Sequence, residues 1–178
     1  MKKLSFFCLS LLLLFSLSAC GASTQADSLA LQYKDTGTKL SLGMTKEEVE
    51  KALTSNEIVY IPAEAPTEPS GNWSATYGAG EDQLTVWYSN GETKVVKHLE
   101  VDSTDKNHDS NWKLDGSISL DSSRDDIEKV YGPCSLERDT YFAYHYDING
   151  DEPFGDAILA FQLDTAGQID YFYIATLP

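Results

Sequence analysis

The sequence feature that most constrains the fold is a segment that the chain nearly repeats. Residues 40–54 read LSLGMTKEEVEKALT, and residues 118–132, displaced by 78 positions, read ISLDSSRDDIEKVYG. Four aligned positions are identical, and six more keep the size and charge of the side chain. Similarity at a fixed spacing is typical of a duplicated supersecondary unit.

Both copies carry the start signal of a helix. Thr45 with Glu48, and Ser123 with Asp126, have the spacing of a capping box, in which the cap and the third helical residue exchange hydrogen bonds. Apolar residues then recur at the spacing of a helix that buries one face. These residues are Val49, Ala52 and Leu53 in the first copy and Ile127, Val130 and Tyr131 in the second. The sequence therefore predicts two short amphipathic helices.

Strand-like segments follow each helix, with turn signals between them at Ser89-Asn90-Gly91, Asn149-Gly150 and Ala166-Gly167. The predicted strands are 57–61, 73–77, 83–88 and 94–101 after the first helix, and 140–148, 157–163 and 169–176 after the second. We therefore predict an α+β fold of two tandem repeats. Each repeat is a helix followed by an antiparallel β-meander, with the helices packed on one face of the sheet.

The N-terminal residues have the composition of an export signal. Lys2 and Lys3 precede an apolar run that ends in Leu-Ser-Ala-Cys at 17–20. The run is interrupted by serines, whereas a membrane-spanning helix needs about 20 apolar residues. The four residues resemble the lipobox of bacterial lipoproteins, and this resemblance implies that Cys20 becomes the acylated first residue of the mature protein. Two or more acyl chains would anchor it stably.

These features divide the chain into five predicted segments. They are a signal peptide over 1–19, the acylated Cys20 with a flexible tether over 20–39, a first repeat over 40–101, an acidic linker over 102–117 and a second repeat over 118–178. An apolar patch at 28–33, within the tether, is predicted to form one helical turn against the first repeat. Cys134 is the thiol that remains after Cys8 leaves and Cys20 is acylated, so no intrachain disulfide is predicted.

The charge excludes one class of partner. The chain has 28 acidic and 13 basic residues, a net charge of −15, and removal of Lys2 and Lys3 would make it more negative. Nucleic acid binding requires clustered Lys and Arg, so no nucleic acid partner is expected. Anionic lipid head groups would also repel the folded part, which predicts membrane contact through the lipid anchor only.

The lead-in Leu42-Gly43-Met44-Thr45, followed by Glu48 and Val49 and duplicated in an exported protein, resembles the β-lactamase-inhibitor-protein-like family. The single unit also resembles the SmpA/OmlA (BamE-like) outer-membrane assembly lipoproteins. The resemblance implies a two-repeat sheet that offers a surface to a protein. Cysteines for a disulfide in each repeat are missing, and Asp121-Ser122 replace Gly43-Met44 in the second copy. Inhibition of a β-lactamase is therefore not carried over.

Aromatic residues in the predicted strands are the candidates for binding. Alternation places Phe142 and Tyr144 on one strand face and Tyr141 and His145 on the other. In the last strand Tyr171 and Tyr173 oppose Phe172 and Ile174, and both orientations stay open. The candidate binding residues are Trp87, Tyr141, His145, Tyr171 and Tyr173. Rigid aromatic side chains lose little entropy on binding. Ordinary packing across the sheet is the alternative explanation for them.

Metal binding and catalysis have weaker signals. Asp147, Asn149 and Asp151 imitate the start of a calcium loop, but the sixth position is Glu152 and the twelfth is Ile158. Turn formation explains them more simply, so no metal or cofactor is predicted. The histidines lack zinc-site spacing, and neither a nucleophile elbow nor a phosphate loop occurs. We therefore predict that the protein is not an enzyme.

Together these observations predict a lipid-anchored, extracytoplasmic, non-enzymatic module that binds an unknown protein of the envelope or the extracellular space through its exposed sheet surface. It would sit on the outer face of the cell membrane or at an outer membrane. An envelope scaffold or assembly factor of the BamE-like type is the first alternative. A hydrolase with an unrecognised carboxylate site is the second.

Overall fold

The computed structural model describes residues 29–55, 58–61, 73–79, 82–103, 110–114, 117–148 and 156–178. These residues form two short helices and eleven strands. In chain order they are β1 (Ala30–Tyr33), β2 (Lys39–Ser41), α1 (Lys46–Thr54), β3 (Val59–Ile61), β4 (Trp73–Ala79), β5 (Asp82–Tyr88), β6 (Val96–Ser103), β7 (Trp112–Leu114), α2 (Arg124–Tyr131), β8 (Leu136–Arg138), β9 (Tyr141–Tyr146), β10 (Ala157–Leu163) and β11 (Ile169–Thr176).

Two antiparallel sheets organise the molecule. The larger one has eight strands in the order β3-β4-β5-β6-β11-β10-β9-β8, and the smaller one has three in the order β2-β1-β7. β6 and β11 join the two parts of the larger sheet, with Leu99 opposite Ile174 and Val101 opposite Phe172. One continuous layer of strands therefore runs through the fold.

The hydrophobic core lies on one face of the larger sheet, which we call the inner face. Phe142, Phe161 and Phe172 come from three adjacent strands and are fully buried, and the rings of Phe142 and Phe161 stack at 5.0 Å. Both helices and the smaller sheet contribute to the same cluster. Their buried residues are Val49, Leu53, Ile127, Leu31, Tyr33, Leu40, Trp112 and Leu114. One core cluster thus connects both helices and both sheets.

The predicted hairpin turn at Ala166-Gly167 is confirmed. Gly167 adopts a φ of 81°, which glycine reaches without steric cost. The Asp164 carboxylate accepts backbone N–H bonds from Ala166 and Gln168, both at 2.8 Å. This Asx-type bonding fixes the connection between β10 and β11. The predicted turn at Asn149-Gly150 lies outside the described residues.

Both predicted capping boxes are confirmed. The backbone N–H of Glu48 donates to Thr45 Oγ1 at 3.2 Å, and the Thr45 N–H donates back to Glu48 Oε2 at 2.8 Å. In α2 the corresponding bonds between Ser123 and Asp126 measure 3.2 and 3.3 Å. The predicted burial of Val130 is wrong, because this side chain is 46% exposed at the margin of the apolar stripe that Ile127 buries.

The predicted fold of two tandem helix-plus-meander repeats is wrong. The structure is mostly antiparallel sheet, and its helices are only nine and eight residues long. The strands β3–β6 and β8–β11, from both predicted repeats, are hydrogen-bonded into one sheet. A second sheet combines β2 with β1 and β7, which come from the predicted tether and linker. The helix signals are local, whereas strand pairing depends on partners far apart in the chain, which a repeated helix pattern does not specify.

The second sheet explains what the repeat interpretation missed. The predicted helical turn at 28–33 is wrong, because Ala30–Tyr33 is β1, whose Leu31 lies opposite Leu40 on one side and Leu114 on the other. β7 comes from the segment predicted to be an acidic linker, and its Trp112 is 1% exposed. The alternation of buried Leu31 and Tyr33 is the period-two pattern of a strand.

The capping boxes predict a loss of stability that depends on pH. Thr45→Ala removes the acceptor for the Glu48 N–H, and we expect it to lower the free energy of unfolding by about 1 kcal/mol at pH 7. The hydrogen bonds from Thr45 hold the pKa of Glu48 below its ordinary value. Because the pKa of Glu48 is lower in the folded state, the stability that the hydrogen bonds between Thr45 and Glu48 contribute is present above the ordinary glutamate pKa. This stability is lost as the pH falls through the lowered pKa.

Urea unfolding of the wild type and the variant at neutral and acidic pH measures this effect. The part of the difference that comes from the hydrogen bond of Thr45 Oγ1 to Glu48 Oε2 should shrink as the pH falls through the lowered pKa of Glu48, where the carboxylate becomes protonated. Thr54→Ala, at the exposed last position of the same helix, is the matched control, for which we expect little change. An equal loss in both variants would show that the cap is not the cause.

Candidate binding surface on the outer sheet face

Five ring side chains lie together on the outer face of the larger sheet, opposite the core. They are Trp87 on β5, His98 on β6, Tyr171 and Tyr173 on β11, and Tyr141 on β9, and we call them the aromatic row. Burial of their neighbours fixes their direction. Phe172 and Ile174 are fully buried, so the alternation of β11 turns Tyr171 and Tyr173 outward. This decides the orientation that the sequence left open.

The rings of the aromatic row contact one another. The ring centroids of Trp87 and His98 are 4.3 Å apart. His98 stacks on Tyr173 with ring centroids 4.7 Å apart and an interplanar angle of 17°. The ring centroids of Tyr171 and Tyr173 are 6.5 Å apart. The hydroxyls of Tyr141 and Tyr173 are hydrogen-bonded at 3.2 Å. The row is therefore one connected surface that spans β5, β6, β11 and β9.

Strand register explains how these side chains meet. Trp87 lies directly opposite His98, whereas Tyr173 lies opposite Glu100 and so reaches His98 diagonally. β10 separates Tyr141 from Tyr173, but its outward side chain opposite Tyr173 is the small Ala160. Ala160 is fully buried beneath a small apolar cluster that includes both tyrosines. This small residue allows the two phenols to meet across the intervening strand.

Four of the five candidate residues belong to the row, and one does not. Trp87, Tyr141, Tyr171 and Tyr173 are half-buried and connected, as described above. His145 is exposed on the same face of β9, where its backbone N–H donates to Ser135 Oγ at 3.2 Å. Within the described residues its ring makes no contact with the row. The binding role of all five residues stays a prediction.

His98 belongs to the row but was not among the candidates. Its position in the sequence could have identified it. Because β6 follows β5 through a short turn, one residue of β6 must lie beside Trp87 on the outer face. Its side chain is 25% exposed, yet the Nε2 atom is buried without a hydrogen-bond partner. The Glu100 Oε2 atom is 3.6 Å away, too far for a hydrogen bond. His98 is thus held mainly by ring contacts.

Two phenols of the row, those of Tyr171 and Tyr173, have raised pKa values. Burial raises the pKa of Tyr173, and the hydrogen bond to Tyr141 adds to the effect. Burial also raises the pKa of Tyr171, and the negative charges of Glu100, Asp170 and Asp102 raise it further. Protonated phenols suit hydrogen bonding and not base or nucleophile chemistry.

Most of the remaining candidates lie outside the described residues. Within the described residues no three acidic, cysteine or histidine side chains are grouped to hold a metal ion. Asp147 is half-buried, while Asn149, Asp151 and Cys20 lie outside the described part of the chain. Cys134 Sγ lies 3.6 Å from Arg124 Nη2. Arg124 Nη1 also donates to Glu137 Oε1 at 2.7 Å, and this contact connects α2 to β8. These contacts hold two elements together.

Neither α1 nor α2, the helices of the described residues, is long and apolar enough to cross a membrane.

Comparisons with known proteins give a fold likeness and no function. No family model matches the chain, and no curated protein matches it. Among solved structures, the chain is similar to the crystal structure of a DUF4309 family protein (YjgB) from Bacillus subtilis. The TM-score is 0.49 at 14% sequence identity, over 86% of this chain and 91% of that one. At these values the likeness identifies neither a family nor an activity for this protein.

Proposed function

We propose that the protein is a lipid-anchored, extracytoplasmic, non-enzymatic binding module that engages a protein partner through the aromatic row. The observation that supports this proposal is the row itself. Five rings from four strands contact one another on the sheet face that points away from the core. The export and lipid-anchor parts of the proposal depend on the lipobox-like residues 17–20.

The arrangement suits a protein interface for an entropic reason. A ring that already stacks on its neighbours loses little conformational freedom when a partner covers it, so more of the contact energy remains for binding. Trp and Tyr are also the residues most often found at the energetic centre of protein interfaces. The row contains one tryptophan and three tyrosines. Trp87, His98 and Tyr171 lie away from the inner core, whereas Tyr141 and Tyr173 also cover the small apolar cluster around Ala160 on the outer face.

The neutral phenols support a binding role over a catalytic one. Tyr171 and Tyr173 have raised pKa values, so both stay protonated at neutral pH and donate hydrogen bonds. A general base or a nucleophile would require the opposite shift. The row therefore offers large apolar faces with hydrogen-bonding edges.

Site-specific photo-crosslinking in cells tests the proposal. A photoreactive amino acid replaces Thr85, which is half-buried on the outer face of β5, two residues from Trp87. The control places the same amino acid at Lys51, on the exposed side of α1. We expect position 85 to give an adduct with one protein in the membrane fraction, and position 51 to give none. Trp87→Ala in the position-85 chain should abolish the adduct.

Three results would contradict the proposal. They are no adduct from position 85, the same adducts from both positions, and an adduct that Trp87→Ala leaves unchanged. Recovery of a multi-protein envelope complex in place of one partner would favour the scaffold alternative. Turnover of a wall or glycan substrate by the purified full chain would favour the hydrolase.

A further inference from the structure

We propose that the partner presents a basic segment, with an arginine or lysine side chain that lies against the aromatic row beside Glu100. This inference rests on the proposed function and names the chemistry of the partner that the same surface would accept. It depends on the position and charge of Glu100, which the ring contacts alone do not explain.

Glu100 lies at the middle of the outer face. It is opposite Tyr173 on β11 and opposite Thr85 on β5, so strands flank it on both sides. Its side chain is 28% exposed. Within the described residues no Lys or Arg pairs with it, and the His98 Nε2 atom lies 3.6 Å from its Oε2 atom. A carboxylate that is partly removed from water favours a cation beside it.

Two further carboxylates lie near this end of the row. Asp102 follows two residues later on the same face of β6, and Asp170 adjoins Tyr171 on β11. The charges of all three carboxylates raise the pKa of Tyr171, after the larger effect of burial, which shows that this end of the row has a negative potential. The net charge of −15 for the whole chain acts in the same direction.

Arg138, a basic residue on the outer face at one edge of the sheet, is too far from Glu100 to neutralise this charge. Arg138 on β8 pairs in register with Tyr141, which places it on the outer face at the end of the sheet. Four strand spacings separate β8 from β6, a distance of roughly 19 Å. Screening at physiological salt acts over about 8 Å. Arg138 therefore does not neutralise the negative charge at the centre of the row.

A basic side chain can contact both the aromatic rings and the Glu100 carboxylate of this surface. The face of an aromatic ring attracts a cation, and Arg in particular stacks on rings while it pairs with a carboxylate. A neutral sugar could stack on the rings, but it would leave the charge of Glu100 uncompensated. A phosphate-rich polymer would be repelled. Charge complementarity thus favours a protein segment that carries Arg or Lys.

A pair of peptides tests the charge requirement directly. One is a capped hexapeptide with arginine at alternate positions, and the other has citrulline, the neutral isostere, at the same positions. Thermophoresis with the full chain in detergent measures the dissociation constant of each. We expect the arginine peptide to bind about tenfold more tightly, because it adds a cation to equal contact area. Raising the salt concentration should weaken the arginine peptide alone.

Glu100→Gln assigns the effect to one carboxylate while preserving the shape of the side chain. We expect this variant to bring the two peptides to within about twofold of each other. Glu50→Gln, which alters an exposed glutamate paired with Lys46 at 2.7 Å on α1, is the matched control and should preserve the difference. Circular dichroism and the unfolding midpoint verify that both variants are folded.

The outcomes separate this inference from the proposed function. Equal or absent binding of the two peptides, or a preference that survives Glu100→Gln, overturns the basic-segment inference. A neutral oligosaccharide that binds more tightly than the arginine peptide also overturns it. If crosslinking at position 85 still captures a partner in those cases, the proposed function stands and only the charge inference fails. If crosslinking fails as well, both fall.

Discussion

Trp112→Ala is expected to lower the free energy of unfolding by about 3–5 kcal/mol. Trp112 is 1% exposed in β7, and its ring packs edge-on against Tyr33 of the neighbouring strand with centroids 5.0 Å apart. Truncation removes a large buried surface and leaves a cavity that the short strands cannot fill. Urea unfolding monitored by circular dichroism measures the change.

Trp87→Ala is the matched control for stability, because it makes the same chemical change on the outer face. Trp87 is half-buried and contacts His98, so we expect a loss of about 1 kcal/mol. If Trp112→Ala costs less than Trp87→Ala, the smaller sheet is not a firm part of the core, and the segment behaves as the linker that its acidic sequence predicts.

Short-range features of this fold could be predicted from the sequence. A capping box needs only four consecutive residues, so Thr45 and Ser123 marked the two helix starts correctly. The direction of strand side chains also follows from local alternation. Phe142 and Tyr144 share one face of β9, as predicted, and both are buried there, while Tyr141 faces outward.

The long-range features could not be predicted in this way. β1 pairs with β7 about 80 residues later, through Leu31 opposite Leu114 and Tyr33 opposite Trp112. Neither the four residues of β1 nor the three residues of β7 contain a local pattern that identifies the other strand as the pairing partner. The equal spacing of the helices suggested independent units, but the hydrogen bonds between β6 and β11 combine the strands into one sheet.

The candidate site shows the same division. Alternation placed Tyr141 on the strand face opposite Phe142 and Tyr144, and burial of Phe172 then settled the direction of Tyr173. His98 was missed because its importance comes from register, which places it between Trp87 on one strand and Tyr173 on another. His145 shares the face but lies outside the row, a fact that depends on distances along and across the sheet.

Trp87→Ala is also expected to weaken binding of the crosslinked partner by about 2–4 kcal/mol, a loss of roughly 30- to 1,000-fold in affinity. Trp87 is the largest ring of the aromatic row, and it supports His98, which in turn stacks on Tyr173. Its removal therefore takes away contact area and loosens the remaining rings. Isothermal titration calorimetry of the purified partner with the full chain measures the change.

His145→Ala separates the row from the sheet face as a whole. His145 is exposed on the same face and makes no ring contact with the row among the described residues, so its loss should change the affinity by less than about 0.5 kcal/mol. A larger effect at His145 than at Trp87 would move the interface toward β8 and β9. Equal small effects would mean that the connected rings are packing of the outer face, because an energetic centre must lose affinity when its main ring is removed.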